Sequence, residues 1–133
     1  MKLINRDTDC AVQAILYIAR SHKEVVDTAL IENELSLPRP FLRKILQRLR
    51  KQGILESVRG NHGGFRLRQT IDKIFLSDVI RIFQGKLTFT ECLFRKQVCR
   101  NVHDCSIRRK LEEIEQSFLR KIMTVTIAEL MEA

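Results

Sequence analysis

"PFLRKILQRLRKQGILESVRGNHGGFRLR" (Pro40–Arg68) decides how this chain folds, because its period changes halfway along. Phe41, Leu42, Ile45, Leu46 and Leu49 recur at helical spacing, and Arg43, Lys44, Gln47, Arg48, Arg50 and Lys51 take the other faces. Gly53 then suits the positive φ that terminates helices. Ile54–Arg59 reads as a strand, and Phe65–Arg68 alternates apolar and basic residues. Between them "GNHGG" (Gly60–Gly64) offers residues that tolerate the positive φ of a hairpin loop. A basic amphipathic helix followed at once by a two-stranded hairpin is the second half of a winged helix.

The first half lies just upstream. "VDTALIENELSLP" (Val26–Pro38) reads as a short helix opened by Asp27 or Thr28, with Ala29, Leu30 and Leu35 facing inward. Pro38 and Pro40 disfavour helical geometry in the residue before each, so the chain turns there, and Pro40 fits the first turn of the next helix. "DTDCAVQAILYIARSH" (Asp7–His22) predicts a helix over about residues 9–22 with Ala11, Val12, Ile15, Leu16, Ile18 and Ala19 buried and Asp7, Thr8 or Asp9 as its cap. Two helices, a tight turn and a basic second helix match helix-turn-helix organisation.

Downstream, "FLSDVIRIFQG" (Phe75–Gly85) predicts a helix capped by Ser77 and ended by Gly85. From Ser106 a narrower seam begins: Ile107, Leu111, Ile114, Phe118 and Ile122 recur every three or four residues. A narrow apolar seam among charges suits a coiled-coil-like contact between copies of the chain. "TVTIAELMEA" (Thr124–Ala133) reads as a last short helix. The expected fold is therefore mainly α with a small β-hairpin wing: a winged helix-turn-helix over residues 1–85, a cysteine-bearing loop over 86–105, and a dimerisation helix and C-terminal helix over 106–133.

Charge points to the partner. The net charge is +8, and residues 39–68 hold nine of the 24 basic side chains but one of the 16 acidic ones, Glu56. The remainder carries fifteen of each sign, so the whole excess sits in this block. Such concentration is the electrostatic footprint of a phosphate-backbone binder, here double-stranded DNA. Arg39, Phe41, Arg43 and Lys44 occupy the N-terminal part of the recognition helix, the part that reaches base edges. Arg48, Arg50 and Lys51 suit phosphates. Arg59 leads into the Gly-rich tip with His62 and Gly63, where an arginine suits a narrow minor groove.

Other classes are excluded by what is missing. "GNHGG" matches neither GxGxxG nor a P-loop, and no Ser/His/Asp set or pair of acids stands out, so no enzyme and no small-molecule substrate are expected. The longest apolar stretch, Ala11–Ala19, is too short to span a bilayer, and Asp7 and Asp9 flank it in place of a basic leader. A cytoplasmic protein without membrane association is expected.

In that reducing compartment, clustered cysteines favour metal ligation or sensing over disulfides. Cys92, Cys99 and Cys105 follow C-x6-C-x5-C spacing. Structural zinc draws on closely spaced ligand pairs, whereas separated thiolates converge more readily on a larger object such as an iron–sulfur cluster. A zinc site and three unconnected thiols remain the alternatives. Cys10 reads as a small buried apolar residue.

These features together resemble the winged-helix regulators of the IscR, NsrR and RirA type. The carriers are "INRDTDCAVQAILYIA" (Ile4–Ala19), "FLRKILQRLRKQGILESVRGNHGGFRL" (Phe41–Leu67), "LSDVIRIFQG" (Leu76–Gly85) and the three-cysteine loop, with "SVRG" (Ser57–Gly60) the most specific. The resemblance implies a homodimeric transcription factor that often holds a [2Fe–2S] or [4Fe–4S] cluster, with Cys92, Cys99 and Cys105 on the ligand positions. Asp9 matches the aspartate that the nitric-oxide-sensing type supplies from the partner subunit. The histidine of the iron–sulfur-assembly type is replaced by Arg108, and His103 does not match it. Cys10 stands where an aromatic residue is common. The family often carries Glu where this chain has Arg43, which implies a different operator preference.

Overall fold

The computed structural model describes residues 3–88 and 104–133. Cys92, Cys99 and His103 lie outside the described residues. The order of elements is α1 (Arg6–Arg20), α2 (Thr28–Leu35), α3 (Arg39–Lys51), β1 (Leu55–Val58), β2 (Gly64–Leu67), α4 (Leu76–Gln84), α5 (Ser106–Ile122) and α6 (Ile127–Glu132). This is the expected mainly helical architecture with a two-stranded antiparallel wing.

α1 is the centre of the body. It packs against α2, α3, α4, α6 and β2. Ala11, Ala14 and Ile15 along it are fully buried, and the two alanines let the neighbouring helices approach closely. The helix starts earlier than expected, and Asp7, Thr8 and Asp9 do not cap it. Asn5 does, its side-chain oxygen accepting from the Thr8 N–H at 2.8 Å. Asp7 and Asp9 sit inside the first turn, where the helix dipole favours negative charge. All four residues are competent caps, and only the path of the chain before α1 chooses among them.

α2 begins as expected, with Asp27 accepting from the Ala29 N–H at 2.8 Å. Its inward face is different. Ala29 and Leu30 are exposed, Leu35 is half-buried against the core, and Ile31 is the residue fully buried. The helix ends where Ser36 takes a left-handed conformation (φ 50°), which turns the chain into Pro38 and α3. On α3, Leu42, Leu46 and Leu49 are fully buried and Ile45 nearly so. Each such side chain contributes about 1.5–3 kcal/mol by leaving water.

α4 also departs from expectation at its start. Ser77 lies within the helix, and Phe75 precedes it without a side-chain cap. Backbone from the far end of the chain substitutes: Phe75 bridges to Thr126, and the Leu76 N–H donates to the Val125 carbonyl at 2.9 Å. α6 returns to the same place. Its Ile127 is fully buried, and Ile127 and Ala128 donate to the carbonyls of Ile74 and Ile71. The last helix thus belongs to the core that α1 organises.

α5 runs for 17 residues with its seam uncovered at Ile107 and Ile114 and half-covered at Leu111 and Phe118. Ile107 is 70% exposed and Ile114 48%, while Ile122 at the C-terminal end is buried. No helix among the described residues is long and apolar enough to cross a membrane.

Candidate nucleic-acid interface and cysteine site

The buried stripe of α3 fixes which of its side chains face out. Arg39, Arg43, Lys44, Arg48, Arg50 and Lys51 are exposed, and Phe41 is half-buried. They are not equivalent. The Arg39 guanidinium is tied to Glu32 of α2 at 2.9 Å. Arg48 donates to the Ile82 carbonyl at 2.8 Å and lies 5.0 Å from the centre of the Phe83 ring. Phe41 has the Arg6 guanidinium 4.9 Å over its ring. Arg43, Lys44, Arg50 and Lys51 have no carboxylate within ion-pair distance among the described residues.

The wing stands beside this helix. β1 and β2 pair with Leu55 opposite Leu67 and Val58 opposite Gly64. The turn between them closes with the Gly63 N–H on the Gly60 carbonyl at 3.0 Å. The wing is braced from outside: Val26 and Phe65 exchange two backbone bonds of 2.9 Å, so a single bridge pins the segment after α1 to the wing. Gly64 makes that approach feasible, since a Cβ there would lie 2.1 Å from the Val26 carbonyl oxygen. Phe65 plugs into the core. Arg66 bonds Glu56 through Nε at 2.8 Å and again through Nη2, and reaches Glu24 at 3.2 Å. These carboxylates hold its guanidinium still more firmly in the charged form and bind it to the wing itself. Arg59, His62 and Arg68 are exposed, with Arg59 and His62 at the tip and Gly63 half-buried beneath it. Helix and wing, which pack together, therefore carry six exposed cations with no ion pair among the described residues: Arg43, Lys44, Arg50, Lys51, Arg59 and Arg68.

The candidate ligands are spread over two elements. Cys105 is half-buried at the N-terminal boundary of α5, and Asp9 is exposed on the first turn of α1. Among the described residues no three His, Cys, Asp or Glu side chains converge on a metal position. Cys10 is buried, as expected. Burial raises its thiol pKa above the ordinary 9.0, the Asp9 charge adds to this, and Arg6 works against it. Cys10 is a neutral packing residue on these grounds. The donor chemistry available elsewhere, three soft thiols and one exposed carboxylate, suits an iron–sulfur cluster.

The sequence gives no sign of two features near this surface. Gln84 bonds the backbone before α1 at both Leu3 and Asn5, and Arg48 is engaged by α4. Their partners lie 79, 81 and 34 residues away, beyond any local pattern.

Residues 4–133 match the Rrf2 family, described as an iron-dependent transcriptional regulator. The HTH-type transcriptional regulator NsrR of Geobacillus kaustophilus is 31% identical over 134 residues, covering 99% of this chain and 90% of that protein. Among solved structures, CymR, the global cysteine regulator of B. subtilis, superposes with a TM-score of 0.81 at 22% identity, covering 99% of this chain and 98% of that one. IscR of T. potens gives a TM-score of 0.75 at 24% identity over 99% of this chain and 87% of that one. Fold, helix-turn-helix and wing all agree with this match, and the chain belongs to the Rrf2 family of transcriptional regulators.

Proposed function

We propose that this protein is a homodimeric, cytoplasmic DNA-binding regulator whose operator affinity is controlled by an iron–sulfur cluster. The observation that carries the DNA part is the braced basic surface of α3 and the wing. Two such surfaces on a two-fold dimer match a pseudo-palindrome, with recognition helices in successive major grooves. Arg43 and Lys44 face base edges, where arginine can bind guanine with two bonds; Arg39 joins them only by exchanging Glu32 for DNA, and Phe41 supports the helix end from beneath Arg6. Arg59 enters the flanking minor groove, with His62 and Gly63 at the tip against the backbone. The uncovered seam of α5 supports pairing with a second copy.

Cys92, Cys99 and Cys105 would hold the cluster, with Asp9 of the partner subunit as the fourth ligand. Bound there, the cluster supplies a redox- and nitric-oxide-sensitive group whose state the protein reads out. The protein's own residues do the rest: thiolates and carboxylate set the site, and α3 and the wing carry the response. The kinship with NsrR supports this reading. A cluster-free thiol- or zinc-based regulator of the same fold is the second reading, favoured by the likeness to CymR.

Anaerobic purification with an absorption spectrum and iron, sulfide and zinc counts separates the two. The expected result is a coloured protein with iron and sulfide in equal amounts, its spectrum altered in Asp9→Ala. A colourless protein with stoichiometric zinc, or with reduced thiols and no metal, selects the second reading. Salt-dependent binding to a promoter fragment, weakened in Arg43→Ala and Arg59→Ala, checks the DNA assignment, and binding unchanged in both variants would refute it.

A further inference from the structure

Three consecutive residues in the last turn of α4 hold two different parts of the molecule. On one side, Arg48 of α3 donates to the Ile82 carbonyl at 2.8 Å and stacks 5.0 Å from the Phe83 ring centre. Ile82 is among the last four residues of α4, whose carbonyls lie beyond the helix's own ladder. An arginine there satisfies that carbonyl and complements the negative end of the helix dipole. On the other side, Gln84 accepts from the Asn5 N–H at 2.8 Å and donates to the Leu3 carbonyl at 3.1 Å. One side-chain amide thereby grips both backbone groups, as a neighbouring strand would.

The gripped segment is the start of α1. Asn5 caps that helix, and the Asp9 N–H bonds to the Asn5 carbonyl at 3.0 Å. A third contact completes a ring of helices, with Arg6 of α1 over Phe41 of α3 at 4.9 Å. Through the two-fold dimer proposed above, this turn serves both clusters: the chain's Asp9 would be lent to the partner's cluster, while its Cys92 would belong to its own. Asp9 lies one helical turn after Asn5, and Cys92 follows Gln84 by eight residues.

Resting on the regulator reading above, we propose that the last turn of α4 is the relay between cluster site and recognition helix, with Gln84 and Arg48 as its positioning residues. Gln84 sets the start of the Asp9-bearing helix, and Arg48 sets the tilt of α3. Arg48 then serves the recognition helix from behind and is not a phosphate contact. A change of state at the cluster can alter DNA affinity only through contacts that differ between the two states, and this turn is where both sides meet.

The test uses full-length protein kept anaerobic, with operator affinity measured by fluorescence anisotropy for cluster-loaded and cluster-free forms. Wild type is expected to show an affinity ratio of about 5 to 150. Gln84→Ala and Arg48→Met should keep the cluster spectrum and the far-UV circular dichroism yet bring the ratio to within about twofold of one. A wild-type ratio retained in both variants overturns the relay. If Gln84→Ala loses its fold, Gln84→Met, which keeps the side-chain length, takes its place. Salt dependence of the cluster-free form gives a separate reading. Loss of one phosphate contact lowers the slope of log affinity against log salt by about 0.9. Arg48→Met should leave the slope unchanged, and a drop of that size returns Arg48 to the phosphates and overturns its assignment here. A wild type with no cluster, or with no ratio, fails the regulator reading itself and takes the relay with it.

Discussion

α3 and α5 are both basic amphipathic helices, and the protein treats them in opposite ways. The apolar stripe of α3 is sealed: Leu42, Leu46 and Leu49 are fully buried under α1 and the wing. The seam of α5 also recurs with helical period, yet Ile107 and Ile114 on it stand in solvent. Amphipathic periodicity reports that a helix needs a partner; it does not report whether that partner is in the same chain. The width of the stripe does carry that information. α3 has five apolar residues in nine positions, Phe41 to Leu49, enough for a broad core face. α5 spreads six over the sixteen positions from Ile107 to Ile122, five of them on one narrow seam suited to another seam.

The comparison is broken most severely by charging the α5 seam. Ile107→Asp combined with Ile114→Asp should raise the dimer dissociation constant by at least about a thousandfold, since each buried unpaired charge is strongly unfavourable. Sedimentation should show a folded monomer, and a dimer of unchanged mass would remove α5 from the interface. Leu46→Ala tests the sealed helix. It should lower stability by about 2–5 kcal/mol in denaturant titration, with cavity and lost burial both contributing. A loss below about 1 kcal/mol would mean that the back of α3 is less well packed than its burial indicates.

Smaller effects sharpen how α3 is framed. Gly64→Ala forces a methyl group against the Val26 carbonyl and should destabilise by about 1–3 kcal/mol. Its signature is weakened operator binding with dimerisation intact, because the wing lies on the α3 side of the molecule. Asn5→Ala removes the α1 cap and should cost about 1 kcal/mol; Asn5→Asp should retain most of it. The least effect concerns Cys10. Its raised pKa means the folded state holds the thiol proton more tightly, so its contribution to stability is complete below pH 9.0 and is lost as pH rises through the higher folded value. At pH 8 the folded protein should leave Cys10 unalkylated while the unfolded chain reacts readily, which mass mapping after iodoacetamide would show.

Most of the fold was legible because its signals are local. The stripe of α3, the Gly-rich hairpin tip and the Asp27 cap each depend on neighbours within a few residues. The misreadings share the opposite cause. Ser77 has the chemistry of a cap, but α4 is opened by Val125 and Thr126 from about fifty residues away. Ala29 and Leu30 are apolar, but α2 meets the core through Ile31, with Leu35 half-buried beside it, and turns the other two outward. The basic surface was legible as a charge block, while the division of labour within it was not. Arg39, Arg48 and Arg66 look like Arg43 in sequence, and only tertiary partners distinguish them.

The bridge between Phe75 and Thr126 has a geometric consequence. The chain leaves α4 at Gly85 and comes back to the opposite end of the same helix. Gly85 and the Thr126 anchor at Phe75 thus sit at opposite ends of one nine-residue rod about 13 Å long. Residues added or removed between these two anchors should leave the register of α1–α4 and the wing unchanged, which operator binding by such length variants would check. A force that acts through both anchors at once would reach α4 as a couple, one push at each end, which is how a short lever turns.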